Sequence, residues 1–227
     1  MTCMANVWNN NKIFLSLSLI LIVVLGLALL YIPQGELHLL LCDRHTPARG
    51  IFYRYYTTVA EWFPYVVCVA ILVFGRIGDG VFASSAMILS ALTTQLFKHI
   101  VNAPRPVTWF ELFMPDTKLP LVEGVKMNYW YSFPSGHTTS FFALALVASI
   151  LLTRLPRIPR RSRALVQILL FGLAALGAYS RIYLSQHFAR DVFAGVVVGV
   201  CITLLCYAIF SRYEDKKWYN YRLLSKK

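Results

Sequence analysis

Long apolar stretches alternate with short polar ones along the whole of this chain. Because a helix rises about 1.5 Å per residue, about 20 apolar residues are enough to cross the roughly 30 Å hydrocarbon core of a bilayer. The second apolar stretch is short and begins at Glu61, so a helix that starts nearer Tyr55 would cross the bilayer more easily. The pattern predicts an all-α fold, an integral membrane six-transmembrane-helix bundle forming one domain over 1–227, with spans at 13–32, 61–75, 81–101, 138–153, 164–184 and 191–210.

The first apolar stretch raises the question of a cleaved signal sequence. It is about 20 residues long and leads into Tyr31-Ile32-Pro33-Gln34 without a small-residue cleavage site. The apolar region of a secretory signal is shorter, about 7–15 residues. We therefore expect this stretch to be retained as the first span.

Composition supports a membrane protein. Hydrophobic residues make up 58% of the chain, charged residues only 14%, and the mean hydropathy is +0.59, far from an ordinary soluble domain. Three of the five cysteines, Cys68, Cys201 and Cys206, fall inside apolar stretches, and Cys42 stands in a polar connecting segment. We expect neither a disulfide framework nor a zinc site.

The distribution of positive charge predicts the orientation in the membrane. The net charge of +12 would suggest nucleic acid in a soluble protein, but here the basic residues lie mostly in short loops. One side holds thirteen Lys and Arg residues, including those at 154–163 and in a basic tail at 212–227, and the other side holds nine. Because cytoplasmic loops carry the excess of Lys and Arg, we expect both termini to be cytoplasmic. No nucleic acid and no protein partner is expected, although the 154–163 cluster also suits anionic headgroups or a partner protein.

In this topology the unusual polar residues all fall at the non-cytoplasmic ends of spans three to six. Ionisable groups at membrane depth are costly, so their convergence on one level predicts a functional site. A lone Lys or Arg at a helix end is usually an interfacial anchor, and Pro-Ser-Gly alone is an ordinary helix cap. Only the set is specific: Lys98, Arg105, Ser135, Gly136, His137, Arg181, His187 and Asp191.

Five of these residues are suited to bind a phosphoryl group. Lys98, Arg105 and Arg181 carry charges that match its non-bridging oxygens and stabilise the transition state. Ser135 and Gly136 stand where the fourth span begins, and a helix N-terminus offers free N–H groups to an anion. Gly allows the anion to approach the backbone closely.

The remaining three residues are suited to nucleophilic catalysis. His187 and Asp191 are four residues apart, which places them on one helix face if the sixth helix starts early enough to include both. Asp191 would then fix the imidazole tautomer and leave the other nitrogen of His187 free to attack phosphorus. His137 is available for proton transfer to the leaving alkoxide and from water.

The spacing of these residues resembles a known three-part signature. Lys98-(six residues)-Arg105-Pro106, Pro134-Ser135-Gly136-His137 and Ser180-Arg181-(five residues)-His187-(three residues)-Asp191 are similar to the motifs of the type 2 phosphatidic acid phosphatase superfamily, and they span 98–191. The resemblance implies metal-independent hydrolysis through a phosphohistidine, without a cofactor or metal. It also implies that His187 is the nucleophile, Asp191 its orienting partner and His137 the general acid, and that the other five residues hold phosphate.

The resemblance implies a membrane lipid as substrate. A bacterial envelope lipid such as lipid A or undecaprenyl pyrophosphate is favoured, with phosphatidylglycerol phosphate and phosphatidate as further options. We expect a bacterial inner-membrane protein whose site faces the periplasm. A phosphotransferase of the same family is one alternative. An anion transporter is another, although spans three to six lack an inverted repeat and their charges lie at one level.

Other polar and aromatic residues are not assigned to the site. His38 and His45 stand in a polar loop, and His99 would point about 100° away from Lys98 on a helix. Acidic residues at 111, 116 and 123 are too scattered for a magnesium site. The aromatic segment 102–137 is either a membrane-interface anchor or a contact for substrate, and both interpretations stay open.

Overall fold

The computed structural model describes residues 3–42, 45–155 and 158–224, and all regular structure in these ranges is helical. Six of the helices in these ranges are long and apolar enough to cross a membrane. This confirms the predicted all-α bundle of six spans. In chain order the helices are α1 Cys3–Tyr31, α2 Gln34–Cys42, α3 Pro47–Phe74, α4 Ile77–Val101, α5 Pro106–Phe113, α6 Gly136–Thr153, α7 Arg160–Tyr183, α8 Ala189–Phe210 and α9 Lys217–Asn220.

The second span starts much earlier than its apolar stretch predicted. Helix α3 begins at Pro47, after Thr46, whose Oγ1 accepts a hydrogen bond from the N–H of Arg49 at 3.4 Å. Thr before Pro is a strong helix start, because Thr caps the free N–H groups and Pro is favoured in the first turn. Glu61 therefore lies in the middle of α3, and the predicted start there was wrong.

The prediction that His38 and Cys42 stand in a polar loop was also wrong, since both lie on a helix. Residues 34–42 form α2, on which Cys42 and His38 are buried. Burial raises the pKa of the Cys42 thiol to about 12, so this thiol stays protonated. The two helices of this region flank the end of the bundle at which α6 and α8 begin.

Helix α6 lies at the centre of the bundle, where it packs against α4, α7 and α8. Glycines make the approach of α8 possible: a Cβ on Gly199 would lie 2.7 Å from the carbonyl oxygen of Thr139. Small residues of this kind allow helix backbones to approach closely in membranes. The contact continues to the helix starts, where the N–H of Ser135 donates to the carbonyl of Asp191 at 2.9 Å.

Helix α1 is tied to the bundle by buried polar side chains. Its backbone is non-helical at Asn11, and Oε1 of Gln167 on α7 accepts from the N–H groups of Ile13 and Phe14 at 3.1 and 3.2 Å. Oδ1 of Asn11 accepts from the hydroxyl of Ser149 at 2.7 Å. Because lipid offers no hydrogen bonds, such partners are what allow a helix break inside a membrane protein.

The segment after α8 folds back onto the start of α4. The hydroxyl of Tyr219 donates to Asp79 at 3.0 Å, and Arg76 binds the same carboxylate at 2.7 and 3.0 Å. Tyr219 is only 1% exposed, and its ring covers Gly78. Much of the predicted tail therefore packs on the bundle. The predicted orientation also relied on Arg44, Arg157, Lys226 and Lys227, which lie outside the described residues.

We predict that this C-terminal contact stabilises the bundle. Tyr219→Ala should lower the free energy of unfolding by about 3 kcal/mol because it empties a buried aromatic site, and Tyr219→Phe by about 1 kcal/mol through the lost hydrogen bond. Denaturant unfolding in detergent micelles measures both. The control is Tyr221→Ala, since Tyr221 is 61% exposed. Equal stability of Tyr219→Ala and wild type would contradict the prediction.

Candidate active site

The structure brings the predicted polar residues together at one end of the bundle. Lys98 stands in the last turn of α4, Arg181 in the last turn of α7, and Asp191 in the first turn of α8. His137 is the second residue of α6 and interacts electrostatically with Lys98, Arg105, Arg181 and His187. The side chains from these four helix ends and from Arg105 therefore form one cluster.

Among the described residues, the contacts that hold the His187 ring are made at Nδ1. Its Nδ1 lies 3.4 Å from Oγ of Ser132 and 3.6 Å from Oδ2 of Asp191, and Ser132 donates to the same Oδ2 at 2.5 Å. Burial, together with the charges of Arg105, Arg181 and Lys98, holds the pKa of His187 well below its usual range. A neutral imidazole with Nδ1 engaged has Nε2 as its nucleophilic atom.

The helix-face pairing of His187 and Asp191 does not occur as the four-residue spacing suggested. Helix α8 begins at Ala189, so His187 precedes the helix, and its N–H donates to the carbonyl of Arg181 at 3.1 Å. Asp191 reaches back over the helix start and also accepts from the N–H of Phe188 at 2.9 Å. The turn after α7, rather than a helix face, sets the position of the imidazole.

Ser132 is a site residue that sequence reasoning missed. It is fully buried and lies between His187 and Asp191. Its hydroxyl can accept from Nδ1–H of His187 while it donates to the carboxylate. Nothing in the local pattern marks this serine, because it stands outside the three motifs and outside any helix.

For the phosphate-ester hydrolysis that the motifs predict, Ser132→Ala should lower kcat about 10- to 100-fold, because Asp191 loses a short hydrogen bond and His187 loses the contact that orients it. Phosphate release at saturating substrate measures this, and KM is expected to stay within about twofold of wild type, because Ser132 acts on the ring rather than on the phosphate. Ser16→Ala on α1 is the control. An unchanged kcat would mean that Ser132 does not help to orient His187.

Two buried guanidinium groups flank the histidines. Arg181 is 6% exposed, and its Nη1 donates to Oγ1 of Thr57 at 2.8 Å. Its Nε is buried and has no hydrogen-bond partner among the described residues. Arg105 donates from Nε to the carbonyl of Trp130 and from Nη1 to Oε1 of Gln186, both at 3.0 Å. Buried N–H groups are rarely left unpaired, so the free Nε of Arg181 fits a site that receives an acceptor oxygen.

The start of α6 is shaped to accept an anion beside Lys98. Oγ of Ser135 accepts from the N–H and hydroxyl of Thr138 at 3.4 and 2.9 Å, so this serine caps the helix. A Cβ on Gly136 would lie 3.9 Å from Nζ of Lys98. The first N–H groups of a helix have no intrahelical acceptors, which leaves those of Gly136 and His137 available to a bound anion.

His137 meets a second residue that sequence reasoning missed. Its Nε2 lies 3.1 Å from Oε1 of Glu61 on α3. Glu61 had been interpreted only as the polar boundary of the second span. Since the two residues are 76 positions apart, their contact depends on how α3 packs against α6.

The aromatic segment before α6 supports the site from outside. Trp109 and Phe110 of α5 pack against Phe188, with ring centroids 5.6 and 6.5 Å apart. The carbonyl of Tyr129 accepts from the N–H of Arg105 at 2.8 Å. The segment thus positions Arg105 and the turn that carries His187, and its exposed aromatic side chains also suit a membrane interface.

The sequence places His38 in a polar loop outside the site, but the structure buries it beside the turn that carries His187. Its ring centroid lies 5.1 Å from that of Phe188, and its Nε2 lies 3.3 Å from Oγ of Ser185. Burial lowers its pKa to about 4, so the ring is neutral and its role is packing. Among the described residues no group of three His, Cys, Asp or Glu side chains is placed to hold a metal ion.

Two connected cavities open beside the cluster. One, of about 330 Å³, is lined by Glu61, Lys98 and His137. The other, of about 180 Å³, is mostly apolar and shares lining residues with the first, Ala60, Tyr65, Ala91, Gln95 and Ser140. They form a path between α3, α4 and α6 from the charged cluster into the apolar part of the bundle. A larger cavity of about 700 Å³ lies elsewhere, between the start of α3 and residues 121–124.

Comparisons with known proteins agree with this architecture. Residues 79–215 match the model of the PAP2 superfamily. A lipid A 4'-phosphatase of Porphyromonas gingivalis is 28% identical over 200 residues, which cover 83% of this chain and 78% of that protein. A probable lipid phosphate phosphatase 4 of Arabidopsis thaliana is 31% identical over 147 residues, 58% of this chain and 48% of that protein. The crystal structure of a PAP2-type phosphatidylglycerolphosphate phosphatase of Bacillus subtilis superposes with a TM-score of 0.58 at 21% identity, covering 92% of this chain and 100% of that one.

Proposed function

We propose that this chain, which belongs to the PAP2 superfamily and is an integral membrane phosphatase, hydrolyses the phosphate ester of a membrane lipid at the site around His187. The family is the type 2 phosphatidic acid phosphatase superfamily that the three motifs predicted. The observation that carries the proposal is a buried neutral imidazole, held at Nδ1, beside a guanidinium whose Nε lacks a partner among the described residues.

The first step transfers the phosphoryl group to the enzyme. Nε2 of His187 attacks phosphorus, the bond from phosphorus to the lipid oxygen breaks, and His137 gives its proton to that oxygen. The imidazolium formed at His187 keeps its proton on Nδ1, where Ser132 and Asp191 stabilise the charge. The product is a phosphohistidine and a lipid alcohol.

The second step releases inorganic phosphate. His137, now neutral, takes a proton from water while the water oxygen attacks phosphorus and the bond to Nε2 of His187 breaks. Lys98, Arg105 and Arg181 bind the non-bridging oxygens in both steps, and the start of α6 at Ser135 and Gly136 adds backbone donors. Each step uses groups of this chain and water.

We propose that the lipid enters sideways through the path between α3, α4 and α6. The apolar cavity lined by Pro64, Met87 and Leu92 suits an acyl or prenyl chain, and the cavity at Lys98 and His137 suits the headgroup. The site would face the periplasm of a bacterial inner membrane and the termini the cytoplasm, because the basic loops lie at the opposite end.

Lipid A is the first substrate to test, since a lipid A 4'-phosphatase is similar over most of both chains. The experiment measures phosphate release by the purified protein in detergent with EDTA present. The panel contains lipid A, undecaprenyl pyrophosphate, phosphatidylglycerol phosphate and phosphatidate, with His187→Ala as the control. Metal-free release from one lipid, lost in the variant, is expected. If labelled phosphate passed to a second lipid instead of to water, the protein would be a transferase. If no lipid released phosphate, the proposal would be contradicted.

A further inference from the structure

We infer that Glu61 is the carboxylate partner of His137, a positioning residue that holds the imidazole and balances its charge when the ring is protonated. The inference rests on the proposed function, in which His137 moves protons. Its geometric basis is the 3.1 Å contact between Oε1 of Glu61 and Nε2 of His137. None of the three sequence motifs includes Glu61.

The charges around His137 favour such a partner. The cations Arg181, Lys98 and Arg105 all act on this ring, and a positive neighbour disfavours a proton on an imidazole. Asp191, the other acidic residue of the cluster, is engaged by Ser132 and by the N–H of Phe188. Glu61 is therefore the carboxylate that is in direct contact with His137, and its charge also acts on Arg181.

The location of Glu61 also indicates a function. It lies in the middle of α3, a membrane-spanning helix, where a carboxylate is costly and usually functional. Its side chain is 59% exposed and lines the same cavity as Lys98 and His137. An interfacial anchor would lie at a helix end, whereas this carboxylate faces the space proposed for the headgroup.

The contact assigns separate tasks to the two nitrogens of His137. Nε2–H donates to Glu61, so Nδ1 is left to give a proton to the leaving lipid oxygen and later to take one from water. The imidazolium present before the first step and after the second is then paired with a carboxylate. Glu61 itself neither touches phosphorus nor transfers a proton, and it acts through the ring.

The test compares Glu61→Gln and Glu61→Asp with wild type, and Glu111→Gln, an exposed carboxylate on α5, is the control. Glu61→Gln should lower kcat about 10- to 100-fold with KM within about twofold, because a protonated His137 loses its counter-charge. The alkaline limb of the kcat profile should move to lower pH, since the ring gives up its proton more readily. Glu61→Asp should restore part of both effects.

A second readout does not depend on turnover. NMR of histidine-labelled protein in micelles should show His137 titrating at lower pH in Glu61→Gln than in wild type. Wild-type kcat and an unmoved titration in Glu61→Gln would overturn the inference while leaving the proposed function intact. A lower kcat without any pH shift would also overturn it, because that is the mark of a purely structural role. If the wild-type enzyme releases phosphate from none of the lipids, the proposed function is overturned instead. The NMR comparison would still decide whether Glu61 and His137 are paired.

Discussion

Replacing His187 with Ala is expected to reduce phosphate release by more than about 10⁴-fold, because the reaction loses the atom that forms the covalent intermediate. The variant should still fold, since the side chain is held mainly by Ser132 and Asp191 and a small cavity is tolerated. Phosphate assays in detergent measure the loss, and unfolding curves verify the fold. His99→Ala is the control, because His99 is an exposed histidine at the end of α4.

The covalent intermediate can be sought directly with a substrate that has a good leaving group, such as p-nitrophenyl phosphate. Such an ester needs little help from an acid in the first step, so His137→Ala should still form the phosphoenzyme but hydrolyse it slowly. We expect labelled phosphate on the protein that is lost in acid and kept in alkali, the behaviour of phosphohistidine. Labelling of His187→Ala to the same extent would show that another residue is the nucleophile.

Arg181→Ala is expected to lower kcat/KM about 10²- to 10³-fold, because a buried donor aimed at the phosphate oxygens is lost. Arg181→Lys should recover only part of this, since an ammonium keeps the charge but not the planar fork of a guanidinium. Binding of inorganic vanadate gives a readout independent of turnover, and it should weaken in the same order. Arg212→Ala is the control, because Arg212 is an exposed arginine in the 3-10 turn after α8.

The opposite result for Arg181→Ala would also be informative. Wild-type kcat/KM in Arg181→Ala would mean that the unpartnered Nε does not face substrate. The variant also loses the hydrogen bond to Thr57, so its unfolding curve must be measured beside the kinetics. A loss of vanadate binding in a variant that unfolds like wild type would assign the effect to the site rather than to the fold.

Much of the architecture followed from local patterns. Six apolar stretches of spanning length defined the bundle, and alternate spans must run in opposite directions. That rule alone brought Lys98, His137, Arg181 and His187 to the same end of the molecule. The errors arose where a polar residue lies inside a span: the sequence predicted a helix start at Glu61, whereas α3 begins at Pro47.

The contacts within the site could not be predicted from local sequence patterns. Ser132 and Asp191 are 59 positions apart, and Glu61 and His137 are 76 positions apart. A residue on a membrane helix meets a distant partner only after helix packing sets the rotation and depth of both. Here the glycines of α8 set the distance between α6 and α8, and the turn after α7 sets the position of the imidazole.

The sequence by itself determined the number of spans, the end of the bundle at which the motifs meet and the residue types that suit a phosphoryl group. These follow from hydrophobic length and from motif spacing, which are properties of neighbouring positions. Only the tertiary structure decided that Ser132 bridges His187 and Asp191, that these contacts are made at Nδ1 of His187, and that Glu61 holds His137. Those depend on distances between side chains from different helices, which the packing of the whole bundle establishes.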